Sequence, residues 1–272
     1  MQRLSSIPAP ALAGVVRERT AKSAIAEIKN CKYDGADMID LHLSTLEDTS
    51  RDTLSSIIKA SPIPILALNY NLRYDWSPAD MGEEERVALL MRAVEAGAAG
   101  IDMQGYTFAP ASKMEFHGEN KYSFTKNSPR EVVTDGAVID KQCALIEEVH
   151  AKGAEVLLSC HPGIVMSAEE VVDLALFLEQ RHPDIIKIVT AATAEGDLYE
   201  CQRAMLLLKK EVKTPVAYHT FGAAGIPSRI INPLLGGQIA FCIDRYNEGS
   251  TMEQIDLRAA RTAVDAVRRL IF

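Results

Sequence analysis

A chain of 272 residues, 47% of them hydrophobic and 24% charged, carries enough apolar material to enclose a substantial core. Its formal charge of −8 argues against nucleic acid or a membrane surface as a partner, since both call for a cationic face, while leaving room for a locally basic pocket. No apolar run approaches the roughly 18 residues of a membrane helix, and the opening MQRLSSIPAPALAGVV lacks an export signal, so a cytoplasmic protein is expected.

In chain order, short apolar runs rich in β-branched residues predict strands near 11–16 (ALAGVV), 36–43 (ADMIDLHL), 64–70 (PILALNY) and 98–104 (AAGIDMQ). Four more follow near 154–160 (AEVLLSC), 184–190 (DIIKIVT), 214–220 (TPVAYHT) and 236–243 (GGQIAFCI). Apolar residues recurring at three and four predict amphipathic helices over 83–96, 136–152, 167–181 and 196–211, and a last one over 253–268 closing the barrel. Ser167 followed by Glu170 reads as a capping box. Alternating strands and helices demand a parallel sheet with right-handed crossovers, and strands apolar on both faces demand a sheet covered on both sides. No G-x-G-x-x-G turn follows the first strand, so the expected fold is one (β/α)8 TIM barrel spanning 1–272. The polar and aromatic stretch 106–135 interrupts the rhythm as an insertion, and loops of that length are often lids or subunit contacts. Five scattered cysteines (Cys31, Cys143, Cys160, Cys201, Cys242), none in a C-x-x-C pair, suit free thiols in a reducing compartment.

The active site of such a barrel lies at the C-terminal strand ends. Those ends carry Asp40 and His42, then Asn69, Tyr70 and Asn71, then Asp102 and Gln104. The later strands add Cys160 and His161, Lys187, Tyr218 and His219, and finally Asp244. Lys187 stands out within Asp-Ile-Ile-Lys-Ile-Val-Thr. Burial disfavours an ammonium, and a neutral amine attacks carbonyls. The structural alternative is a strand-end lysine that reaches solvent or pairs with Asp184.

Four segments in order resemble the type I 3-dehydroquinate dehydratases: Leu-Ser-Cys-His (158–161), Ile-Ile-Lys-Ile (185–188), Phe-Gly-Ala-Ala-Gly-Ile-Pro-Ser-Arg (221–229) and Gly-Ser-Thr-Met-Glu-Gln-Ile (249–255). The resemblance implies a hydro-lyase acting on a 3-dehydroquinate-like hydroxylated keto acid, cyclic or open-chain, without a cofactor. It implies Lys187 as the imine lysine, His161 as general acid and base, Arg229 on the substrate carboxylate, and Ser228 and Gln254 as further substrate contacts. The first half departs from the family pattern. Asp40-Leu41-His42 stands where Glu-x-Arg is usual, Tyr70 where an arginine ends the third strand, Tyr74 or Asp75 near an expected glutamate, and Asp102-Met103-Gln104 in place of Asp-x-Glu. Asp40, His42, Tyr70 and Gln104 therefore become the candidate substrate-recognition residues. Two other readings stand beside this one. Asp40, His42, His161 and His219 with a carbamylated lysine suggest a metal-dependent hydrolase, although the usual first-strand His-x-His is missing. A barrel retaining its pocket only to bind a ligand is the other. Barrels of this type often form homodimers, but no patch in the sequence identifies one.

Overall fold

The protein is described by a computed structural model over residues 2–70, 81–109, 130–246, 250 and 253–271. The strands are β1 (Ala11–Val16), β2 (Met38–His42), β3 (Ile65–Leu68), β4 (Gly100–Gln104), β5 (Glu155–Cys160), β6 (Ile185–Ala191), β7 (Val216–Phe221) and β8 (Ile239–Ile243), with a two-residue β9 (Ile255–Asp256). The helices are α1 (Ala21–Tyr33), α2 (Arg51–Ala60), α3 (Glu83–Glu95), α4 (Gly136–Ala151), α5 (Ala168–Glu179), α6 (Glu195–Glu211), α7 (Ser228–Leu234) and α8 (Leu257–Ile271). All eight expected strands are present, and the ladders are parallel in the order β7-β6-β5-β4-β3-β2-β1-β8-β9. β1 pairs with both β2 and β8, which curls the sheet into a barrel. At the remaining seam a backbone hydrogen bond, Gln238 N–H to Val216 O at 2.8 Å, joins the bases of β8 and β7, while β9 takes the free edge of β8 higher up.

Strand alternation sorts side chains into two apolar layers. Ala11, Ala13, Val15, Met38, Leu157, Ile185, Ala217 and Phe241 fill the barrel, and Leu4 and Ile7 join the same cluster. Leu12, Ile39, Leu41, Ile101, Leu158, Ile186, Ile188, Tyr218 and Cys242 pack outward with the helices. The positions between those outward residues point inward by default: Asp40, Asp102, Lys187 and His219. Part of the polar inventory of the strand ends thus falls on the inner face.

The expected capping box is formed, Ser167 Oγ accepting from the Glu170 backbone N–H while Glu170 Oε2 accepts from the Ser167 N–H at 2.9 Å. Three helices, α1, α2 and α7, stand outside the expected set, although Leu54, Ile57 and Ile58 of α2 do recur at helical spacing. Helix α1 buries the charged Glu27, which pairs with Arg245 at 3.0 Å, α2 buries only Leu54 and Ile57, and the short α7 contains Pro233. The final helix starts at Leu257, later than expected, because its lead-in forms β9. Most of the 106–135 insertion, residues 110–129, lies outside the described residues. Its stem is anchored: Val133 N–H donates to Gly105 O at 2.9 Å, and Gln142 Nε2 donates to Gly105 O at 3.1 Å and Thr107 O at 2.8 Å. Among the described residues no helix is long and apolar enough to cross a membrane.

After β7 the chain turns at Gly222, whose φ of +91° suits glycine and whose absent Cβ would stand 2.4 Å from Ala192 O. Gly222→Ala is expected to cost about 1–3 kcal/mol, since backbone rather than a flexible side chain blocks the methyl group. Urea unfolding of the two proteins measures it, and an unchanged midpoint would mean that this turn relaxes freely.

Candidate active site

Lys187 projects from β6 into the barrel and is only 6% exposed. Burial at this depth requires a partner for the ammonium. Its Nζ donates to Tyr70 Oη at 2.7 Å and lies 3.3 Å from Asp102 Oδ2, with the Phe241 ring centroid 4.3 Å away. Pairing with Asp184 does not occur: that carboxylate is engaged at the strand N-termini by Arg3 (2.9 Å), His150 (2.7 Å) and the Val156 N–H (2.8 Å).

Tyr70, two residues past β3, is the junction of the site. Its hydroxyl also reaches Asp102 Oδ2 at 3.0 Å and His161 Nε2 at 3.3 Å. Burial and then the charges of Asp102 and Asp40 push its pKa well above 10, so it remains a phenol whose one proton serves either the carboxylate or the imidazole. His161 follows β5 directly. Burial, reinforced by the positive charges of Lys187 and Arg229, holds it well below its ordinary 6.5, leaving a neutral ring able to accept a proton near neutral pH.

Asp102 on β4 is 0% exposed, and burial raises its pKa against the opposing pull of Lys187. It accepts from Ser159 Oγ and, at 3.3 Å, from Gln104 Nε2. Gln104 is spent on this support, its amide nitrogen also donating to Asp102 O at 2.8 Å and its oxygen accepting from Arg86. Arg86, on α3, was not anticipated. It donates to Asn69 O (2.8 Å) and Thr107 Oγ1 (2.9 Å) and is matched by Glu83 at 2.7 Å, tying β3 to β4 beneath the site. In the sequence Glu83–Arg86 looks like an ordinary surface pair on a helix, so nothing marks its burial.

On the β1–β2 side, Asp40 and His42 both face inward, His42 Nε2 lying 3.6 Å from Asp40 Oδ2. Burial and then the charge of Arg17 lower the His42 pKa to about 4. Asp40 Oδ1 is enclosed without a hydrogen-bond partner among the described residues. Arg17, one residue past β1, was also missed; its Nε lies 3.3 Å from His42 Nε2 and its Nη1 donates to Gln254 Oε1 at 2.9 Å. It could have been found by reading the end of the first strand as the other ends were read.

On the β7–β8 side, Arg229 is mostly enclosed on α7, with Nη2 3.4 Å from Glu253 Oε2 and Nε lacking a hydrogen-bond partner among the described residues. Ser228 is 0% exposed and occupied by the turn, donating to Gly225 O at 2.6 Å and accepting from Thr220 N–H at 2.9 Å. It shapes the loop that carries Arg229 and faces no open space. Tyr218 points outward, its hydroxyl 3.0 Å from Thr190 Oγ1, and the Cys160 thiol is buried in the outer layer. Asp244 turns away from the mouth towards Asp34 and Glu27, and burial with Asp34 beside it raises its pKa to about 6. Asn71, Tyr74 and Asp75 lie outside the described residues. Among the described residues no group of three His, Cys, Asp or Glu side chains is arranged to hold a metal ion, so the proposed hydrolase ligands do not converge.

Fold and site together define a parallel α/β barrel built around an inward-facing, ion-paired lysine. Residues 133–270, half of the chain, match the type I 3-dehydroquinase family, and the chain belongs to that family. A curated 3-dehydroquinate dehydratase of Aromatoleum aromaticum is 20% identical over 208 residues, covering 76% of this chain and 68% of that protein. The type I 3-dehydroquinate dehydratase of Clostridium difficile, solved with covalently modified comenic acid, superposes with a TM-score of 0.75 at 15% identity, over 97% of this chain and 94% of its own. The Enterococcus faecalis 3-dehydroquinate dehydratase gives 0.73 at 16% identity, over 98% and 99%.

Three enclosed histidines kept neutral make a pH signature. Between about pH 4 and 6.5 the unfolded chain binds protons at His42 that the folded protein refuses, so this stability is complete above 6.5 and is lost as pH falls. His161 and His219 act in the same direction. Buried carboxylates with raised pKa, Asp244 among them, act in the opposite direction, so the histidine contribution is read as a difference: from pH 7 to pH 5 the wild type should lose on the order of 1 kcal/mol more in urea unfolding than His42→Gln. An equal change in the two proteins would contradict neutral burial of His42.

Proposed function

We propose that this protein eliminates water from 3-dehydroquinate, or from a closely related hydroxylated keto acid, through an imine formed on Lys187. The observation that carries the reading is the hydrogen-bonded chain Lys187 Nζ–Tyr70 Oη–His161 Nε2, with steps of 2.7 and 3.3 Å inside the barrel. Family membership supports the same chemistry.

The ammonium must lose a proton before it can attack. Tyr70 is placed to take that proton while passing its own to the neutral His161, so the lysine is discharged without a stable phenolate. The free amine adds to the ketone, and His161 returns the proton as the carbinolamine oxygen leaves as water. The resulting iminium withdraws electrons from the adjacent carbon. His161 takes the α-proton, the carbon–oxygen bond at the β-carbon breaks, and the departing oxygen takes the proton from the imidazolium. Hydrolysis of the conjugated imine then frees the lysine. Asp102 holds Nζ in place throughout. Arg229 supplies a planar fork for the substrate carboxylate, with Glu253 close by, and Gln254 is presented beside it by Arg17. Asp40 and His42 meet the opposite end of the substrate and, with no arginine in their strand, retune its recognition. We place the enzyme, as a single barrel unit, in the cytoplasm, with a homodimer as its assembly.

Borohydride reduction with 3-dehydroquinate, followed by mass spectrometry of the peptide containing residue 187, tests the reading. The wild type should carry the reduced adduct and Lys187→Ala should not; an adduct elsewhere would overturn the assignment. Tyr70→Phe keeps the ring but removes the relay, and kcat should fall by about 100-fold with a smaller change in KM. Full activity of that variant would leave His161 to act on the amine directly.

A further inference from the structure

His219 is the inward-facing side chain that the mechanism above does not use. It stands on β7 opposite Val189 of β6, and Ala217 below it is opposite Lys187, so its ring sits one layer above the reactive amine on the side away from His161. Its centroid is 6.3 Å from that of Phe241, the ring that flanks Lys187 Nζ. It is 6% exposed, yet among the described residues neither ring nitrogen hydrogen-bonds to the protein. Neither is among the fully enclosed polar atoms lacking a partner, so both keep some accessible surface. A buried imidazole with no protein partner is costly to keep unless a ligand completes it.

We infer that His219 is a substrate-binding residue that hydrogen-bonds the hydroxyl group leaving in the dehydration. This rests on the proposed function and deepens it. Three groups frame the position: Lys187 marks the ketone carbon, Arg229 marks the carboxylate, and His219 adjoins both, since Ala217 below it is opposite Lys187 and Thr220 next to it donates to Ser228, the neighbour of Arg229. In 3-dehydroquinate the departing hydroxyl is on the carbon that bears the carboxylate, two bonds from the ketone carbon. A ring on β7 that adjoins both anchors is placed to meet that hydroxyl. The chemistry matches as well. A neutral imidazole offers one donor and one acceptor, as a hydroxyl does, and burial beside Arg229 and Lys187 keeps this ring neutral. It does not supply the departing proton, which stays the task of His161; it orients the oxygen and stabilises charge growing on it as the bond breaks.

The dehydration product lacks this hydroxyl, and that separates a hydroxyl contact from simple pocket lining. His219→Met removes the polar atoms at similar bulk, and His219→Gln retains a donor and an acceptor. For His219→Met, kcat/KM on 3-dehydroquinate should fall by about 10- to 100-fold. The half-saturating product concentration for borohydride trapping on Lys187 should stay within about twofold of wild type, and His219→Gln should recover much of the turnover. Parallel loss of turnover and product trapping in both variants, or no loss in His219→Met, overturns the inference. If the wild type is trapped by 3-dehydroquinate without turning it over, the proposed reaction falls. Trapping of substrate against product in His219→Met then decides the histidine on its own: selective weakening for the hydroxylated ligand supports it, and equal weakening rejects it.

Discussion

An ammonium and a carboxylate, Lys187 and Asp102, sit 3.3 Å apart inside a barrel whose other inward residues are largely apolar. Neither charge could be kept there alone, because desolvation would exceed anything the surrounding packing returns. The structure answers with layers of support. Ser159 and Gln104 hold the carboxylate, Arg86 holds Gln104, and Glu83 holds Arg86. Three strands and a helix are committed to keeping one amine in place. The site is thereby preorganised, and the lysine cannot relax towards solvent when a ligand arrives.

A second constraint follows from the first. Lys187, Arg229 and Arg17 bring positive charge into a small volume, and this field, added to burial, keeps His42, His161 and His219 uncharged. Each cation has a carboxylate within reach, Asp102 for Lys187 and Glu253 for Arg229, and neutral rings around them suit proton transfer. Charge and protonation are thus set by the same few residues.

Half of the chain carries the family likeness and the other half carries the divergence. The matched half contains His161, Lys187 and Arg229, whereas Arg17, His42 and Tyr70 stand on or just past β1 to β3 in the other half. Tyr70 is the most consequential of these. It is not merely a substitute on the recognition side, as its place in the sequence suggests, but the bridge between the amine and the imidazole.

The sequence alone determined the strand rhythm and the barrel, because short apolar runs alternating with helical periodicity leave few other architectures; it marked Lys187 as a strand lysine but left its direction open, since Ile stands on both faces of that strand. It also determined the likeness around His161 and Arg229, since those motifs are contiguous. It could not show that Ser228 and Gln104 are hydrogen-bonded within the protein while Tyr70 bridges Lys187 and His161, nor could it turn Asp244 away from the mouth or bring Arg86 to Gln104. Those distinctions depend on pairings such as Arg86 with Gln104 or Arg17 with Gln254, across 18 and 237 residues of chain. Electrostatics and hydrogen bonding act through space, so only the closed barrel decided which polar residues neutralise one another and which are left for a ligand.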